Sequence, residues 1–178
     1  MLKTNREDLP MLLVQGQVRH SKGAQAYRHT IDGEPFTLPA TGGITLNAKI
    51  GDRCVGWAAD HLEPGVTARN ENDDYNAALQ GLSCIGNTAI VMSGDAKGAR
   101  GFVTGKHGGC EHLLCYFDQE IMEKMTIGDK IDVRSQGQGM KLMDYPDILL
   151  RNMSPELLEK MNIEEKDGKL KVGVAKIV

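Results

Sequence analysis

Aromatic residues are scarce in this sequence, at 4% of 178 residues with a single Trp. Leu, Ile, Val, Ala and Met must therefore fill the interior, and nine Met favour an adaptable core over a rigid one. No apolar run approaches the roughly twenty residues of a membrane-spanning helix, so no membrane partner is expected. The start, MLKTNREDLPMLLVQG, has only a short apolar run after its charges and lacks a signal-peptide layout. Basic charge is not in excess either. A net charge of −3 argues against a chain coated by nucleic acid, although a local basic patch stays open. The four Cys form no CxxC pair, which argues against a thiolate zinc site. With no export signal, free thiols and a cytoplasmic location are expected. Neither GxxxxGK[ST] nor a strand-GxGxxG-helix run occurs, so nucleotide binding through those motifs is excluded.

Glycine is plentiful, and it is concentrated. Residues 83–117 hold Gly86, Gly94, Gly98, Gly101, Gly105, Gly108 and Gly109, beside Cys84, Cys110, Cys115, His107 and His112. Glycine at that density marks backbone that turns tightly or approaches something closely.

Around this centre the chain reads as many short strands. Residues 11–19 alternate partly, and 44–50 (ITLNAKI) alternate cleanly. Asp32-Gly33 between two short extended arms predicts a hairpin over 27–38. TAIVM (88–92), GFVTG (101–105) and LLCYF (113–117) are strand candidates, and 126–133 reads as turn plus strand. The long polar connection 60–81 reads as a functional loop or lid. Asp73 or Asp74 is expected to cap a short helix ending at Leu82, and Asp118 to cap QEIMEKM. Ser154-Pro155-Glu156 predicts a helix through Met161: serine cap, proline at the first helical position, acid in the first turn. Asp167-Gly168 then turns the chain into LKVGVAKIV. The pattern predicts an α+β, mostly β domain: an antiparallel barrel-like sheet with two or three short helices. It reads as a single domain over 1–178. Ending at Val178 inside an apolar alternating strand also fits a truncated form of something longer.

Four constellations carry chemistry. In KHGGCEH (106–112), His107, Cys110, Glu111 and His112 are ligands or proton carriers. Regular strand geometry puts Cys110 and His112 on one face and Glu111 on the other. The Gly108-Gly109 amides can cradle an anion or oxyanion, and a histidine beside Cys110 would make it a nucleophile. In WAADHLEPGV (57–66), Asp60, His61 and Glu63 sit where a strand gives way to a loop. Asp60, His61, His107 and His112 are the expected metal ligands, of the mixed His/carboxylate type that takes zinc, iron or manganese. His61, Glu63, His107 and Cys110 are the expected catalytic groups, with Glu63 or His61 as base or ligand and His107 and His112 as ligand or acid. In PATGGITLN (39–47), Gly42 and Gly43 offer amides to a phosphate or carboxylate.

The fourth is AIVMSGDAKGARGFVTGKH (89–107), which resembles the KOW motif of ribosomal and transcription-factor barrels. Gly94, Lys97, Gly98, Gly101 and Val103 fall at the matching positions. That resemblance implies a tight hairpin whose basic residues, Lys97, Arg100 and Lys106, touch RNA. Over most of residues 11–178, the segments LPATGGIT, GWAADHLEPGV, CIGNTAIVMSGDAKGARGFVTGKHGG, LMDYPDILLRNMSPELL and DGKLKVGVAKIV are similar to a family of bacterial and archaeal proteins of unassigned function. Its members are longer, and it brings no catalytic residues to carry over.

The leading expectation is an enzyme or small-molecule binder for an anionic metabolite, assisted by a divalent metal. Two rivals stand beside it: an RNA- or ribosome-associated KOW-like module, and a structural subunit whose edge strands pair with a partner or form a homo-oligomer.

Overall fold

The computed structural model describes residues 2–20, 27–37, 42–49, 63–108 and 111–173. Six antiparallel strands close into a barrel: β1 (Leu12–Val18), β5 (Gly65–Arg69), β6 (Thr88–Val91), β7 (Arg100–His107), β8 (His112–Tyr116) and β9 (Lys130–Ser135). Their order is β1-β9-β6-β7-β8-β5, and β5 returns to β1 through the pairs Gln17–Arg69 and Val18–Ala68. A six-stranded barrel is narrow enough for side chains alone to fill it. Alternate residues do so: Val66 and Ala68, Ala89 and Val91, Leu113 and Cys115, Ile131 and Val133, with Val18 and Val103, are all buried.

A short strand, β4 (Ile44–Thr45), pairs with β5 outside the closed ring. The clean alternation of 44–50 predicts a longer strand. It stops at Thr45 because Thr45 pairs with Gly65, the first residue of β5, and no β5 backbone is left to pair with Leu46. Ile50 lies outside the described residues. The hairpin at Asp32-Gly33 is present as β2 (Tyr27–His29) and β3 (Pro35–Thr37). Asp167 and Gly168, with φ of 52° and 70°, turn β10 (Glu164–Lys166) into β11 (Lys169–Lys171).

Helix α1 (Asp73–Leu82) follows β5 and packs on β1 and β8. Its Leu79 is fully buried against Gly16, where a β-carbon would come within 2.8 Å of Leu79 Cδ2. The helix is capped by Asn72, not by Asp73 or Asp74. Asn72 keeps an extended backbone and its Oδ1 accepts from Tyr75 N at 3.0 Å, whereas Asp73 lies inside the first turn and pairs with Arg69. Helix α2 is short (Gln119–Met122); Asp118 stands at its N-cap, its carbonyl accepting from Ile121 N and Met122 N, while its side chain makes no capping hydrogen bond. Helix α3 (Pro155–Lys160) begins as expected, with Ser154 Oγ accepting from Leu157 N at 3.1 Å. It packs in a second small core with Leu9, Met140, Leu142 and Leu158. No helix among the described residues is long and apolar enough to cross a membrane.

Candidate metal centre

The centre is built on the β7–β8 hairpin. Val103 pairs with Cys115, but the next pair is Gly105 with Leu114, so Thr104 is an extra residue, a bulge. The bulge changes the phase of β7. Strict alternation from the buried Val103 would send residue 107 inward. Instead Lys106 pairs with the core residue Leu113, and His107 pairs with His112. Directly opposed residues share a face. The two imidazoles therefore stand side by side on the outer face of the barrel, ring centroids 5.0 Å apart.

Glu63 arrives from another part of the chain. Two residues later Gly65, at φ 93°, turns the backbone into β5 and lies so close to β8 that a β-carbon would sit 2.4 Å from the Cys115 carbonyl oxygen. Only glycine fits such a turn. Glu63 is buried at 4% exposure. Its Oε2 accepts from Gly42 N at 3.1 Å and lies 2.9 Å from His112 Nε2; its Oε1 lies 3.3 Å from His107 Nδ1.

Glu63, His107 and His112 each offer one ligand atom, all within 4.8 Å of one another. Ligands bonded at about 2.1 Å to a tetrahedral ion stand about 3.4 Å apart. His112 lies 2.9 Å from one Glu63 oxygen and His107 3.3 Å from the other, each contact close to that spacing. Two imidazoles and one carboxylate suit zinc or a non-haem iron-type ion, with further coordination positions left for water or substrate. His112 is wholly buried and Glu63 nearly so, while the His107 side chain is 29% exposed, so His107 is the one of the three that meets solvent.

Of the expected site residues, the structure brings Glu63, His107 and His112 together. Asp60, His61, Gly109 and Cys110 lie outside the described residues. Gly108 is an exposed turn residue after β7. The Gly42 amide is engaged by Glu63, and the Gly43 amide by Thr67 Oγ1 at 2.6 Å and by the Arg19 carbonyl. These amides thus already serve the protein's own groups. Glu111 takes a turn conformation at φ 51° rather than a place on a strand, so the alternation expected through 110–112 starts only at His112.

The glycine-rich segment around Gly94 and Gly98 is the β6–β7 turn, with φ of 69° and 90° and Gly98 N donating to the Val91 carbonyl. Lys97 and Arg100 are exposed there. Lys106 is half-buried. Burial lowers its ammonium pKa, and the nearby Cys84 offsets part of that. Cys84 and Cys115 are free buried thiols; burial pushes Cys84 up and Cys115 up to about 12, so neither is a ready nucleophile.

The sequence left Glu63 open as base or ligand, and the geometry places it with the two histidines as a candidate ligand. The signal for its position was the Pro64-Gly65 step after it, which marks a sharp turn. Arg69 and Asn76, which hold the hairpin end, were missed. A lone Arg closing the apolar run GVTA was their one sequence mark.

Comparison with known proteins matches this architecture. The chain shares 47% identity with the crystal structure of TM1086 and superposes on it with a TM-score of 0.88. The match covers 96% of this chain and 60% of that one, so the chain spans 60% of that relative's length. No curated protein matches significantly. A family model described as Domain of unknown function (DUF4438), N-terminal, matches residues 27–159, and the chain belongs to that family.

Proposed function

We propose that this domain holds one divalent transition metal on Glu63, His107 and His112 and uses it to bind and activate a small anionic metabolite. The convergence of those three side chains from two distant parts of the chain is the observation that carries the reading. A carboxylate buried at 4% exposure costs several kcal/mol unless it is paired or coordinates a cation. Gly42 N–H donates to Glu63, and the ring nitrogens of His112 and His107 meet its two oxygens, so a cation among these three side chains would find donor atoms already converging. Two neutral imidazoles and one carboxylate leave a divalent ion with a net charge of about +1, which favours an anionic or polarisable carbonyl ligand at the remaining positions. Among the described residues the site offers three protein ligands, the number typical of catalytic rather than closed structural sites. The setting proposed is cytoplasmic, where the thiols of Cys84 and Cys115 stay reduced.

Elemental analysis tests this. The purified protein, stripped and then reconstituted with manganese, iron(II), cobalt, nickel or zinc, is expected to retain close to one equivalent of at least one metal. Glu63→Gln, which keeps the side-chain volume, is expected to lose it. Equal retention by the unmodified protein and Glu63→Gln, or retention by neither, overturns the assignment.

A further inference from the structure

His112 is preceded by Glu111, whose φ of 51° is a left-handed conformation that a β-carbon resists. Two buried side chains hold it there. Asn76 Nδ2 donates to the Glu111 carbonyl at 2.9 Å, and Arg69 Nη2 reaches Glu111 Oε2 at 3.3 Å. Neither holder is a loose surface group. The Arg69 side chain is 4% exposed, and Asn76 is likewise buried.

Both are themselves fixed. Arg69 Nη1 donates to the Asn70 carbonyl and Nη2 to Asp73 Oδ1, each at 3.0 Å. Asn76 Oδ1 accepts from Asn70 N at 3.0 Å. Residues 69–76, the end of β5 and the first turn of α1, thus form a collar around one residue of the hairpin connection. Ala68 pairs with Leu113, so Arg69 stands one step further along, level with His112.

The connection has reason to need a collar. It begins with Gly108-Gly109, the most permissive backbone available, and it joins the two histidines. Left to itself, such a link does little to fix the spacing of the two imidazoles. We infer that Arg69 and Asn76 are positioning residues of the metal centre, acting through Glu111 to hold His112 opposite His107. The inference rests on the metal reading above and adds to it a support outside the ligand set. Removal of such outer partners typically lowers metal affinity about 10- to 100-fold.

The test is cobalt(II) binding, followed by visible absorption and by titration, for the unmodified protein, Arg69→Met, Glu111→Ala and the double variant. Glu111 is largely exposed, so its variant keeps the fold even if Arg69→Met is weakened; the melting temperature of each metal-free variant checks this. The expected result is a loss of about 10-fold or more in each single variant, with an altered cobalt spectrum. The double variant should be no worse than the weaker single one, because Arg69 acts through Glu111. A merely structural role moves the melting temperature and leaves spectrum and affinity unchanged. That outcome, or losses that add in the double variant, overturns the inference. If the unmodified protein takes no cobalt, the same titrations are run with whichever of manganese, iron(II), nickel or zinc it retains; retention of none of the five overturns the metal reading itself, and is seen separately.

Discussion

Replacing His107 by Ala separates metal binding from folding more cleanly than any other change in the triad. His112 is completely buried, so its removal leaves a cavity and takes away one partner of the buried Glu63, and a loss of stability would obscure any loss of binding. The His107 side chain is 29% exposed and lies at the end of its strand, so its truncation costs on the order of 1 kcal/mol without metal. The gain on metal binding is larger. At a free concentration of a hundred times Kd, a ligand specific to the folded state stabilises it by about 2.7 kcal/mol. For a chain of 178 residues each kcal/mol shifts Tm by about 2–4 °C. The metal-saturated protein should therefore melt about 5–10 °C higher than the stripped protein. His107→Ala should melt a few degrees lower when stripped and show almost none of that rise. Scanning calorimetry in stepwise metal, with His29→Ala as a control at an exposed histidine, reads both numbers. The unfolded chains differ by one histidine only, so metal binding to the unfolded state largely cancels in the comparison. A His107→Ala protein that keeps the full metal-induced rise refutes the reasoning, as does an unmodified protein that manganese, iron(II), cobalt, nickel and zinc all leave unmoved.

Two further outcomes are expected. Gly65→Ala places a β-carbon 2.4 Å from the Cys115 carbonyl at a φ of 93°, so it should cost at least about 2–3 kcal/mol by urea denaturation and weaken metal retention, since this turn delivers Glu63; a loss below 1 kcal/mol would be inconsistent with the turn as described. Cys115 is held as a neutral thiol in the folded state, its pKa pushed from 9.0 up to about 12 by burial. The unfolded chain ionises first, so this contribution to stability is fully present below pH 9 and is lost as pH rises from there toward 12. Cys115→Ala, at whatever fixed cost to stability, should therefore show a shallower fall of unfolding free energy over that window, and equal slopes in the two proteins would contradict the assignment.

Much of the fold was legible because it depends on local chemistry. The Asp32-Gly33 and Asp167-Gly168 turns, the Ser154-Pro155 helix start and the apolar runs of β1, β6, β7, β8 and β9 need only neighbours in sequence to be read. The connection 60–81, expected as a loop or lid, instead holds β5, buried along its whole length between β8 and β1 and so without the alternation that marks a half-buried strand. Asp118 takes the expected N-cap position without a side-chain bond, but the cap expected at Asp73 or Asp74 went otherwise. Aspartate competes for several roles near a helix start; here Arg69 claims Asp73, and Asn72 takes the cap. The truncated β4 followed from its partner: alternation in 44–50 reports a burial preference, but a strand ends where the neighbouring backbone ends.

The sequence by itself determined a mostly β chain with a glycine-rich centre, and it named His107, His112 and Glu63 as chemically capable groups. It did not determine that they meet. That was decided by two long-range features. The Thr104 bulge, visible only when β7 is laid against β8, turns His107 onto the face of His112. The turn at Gly65, packed against the Cys115 carbonyl, sends Glu63 to the Gly42 amide and the His112 ring, 49 residues away along the chain. Periodicity along one strand reports which face a residue takes when pairing is regular. A bulge changes that phase, and a bulge is a property of two strands together, so only the tertiary structure assembles the site.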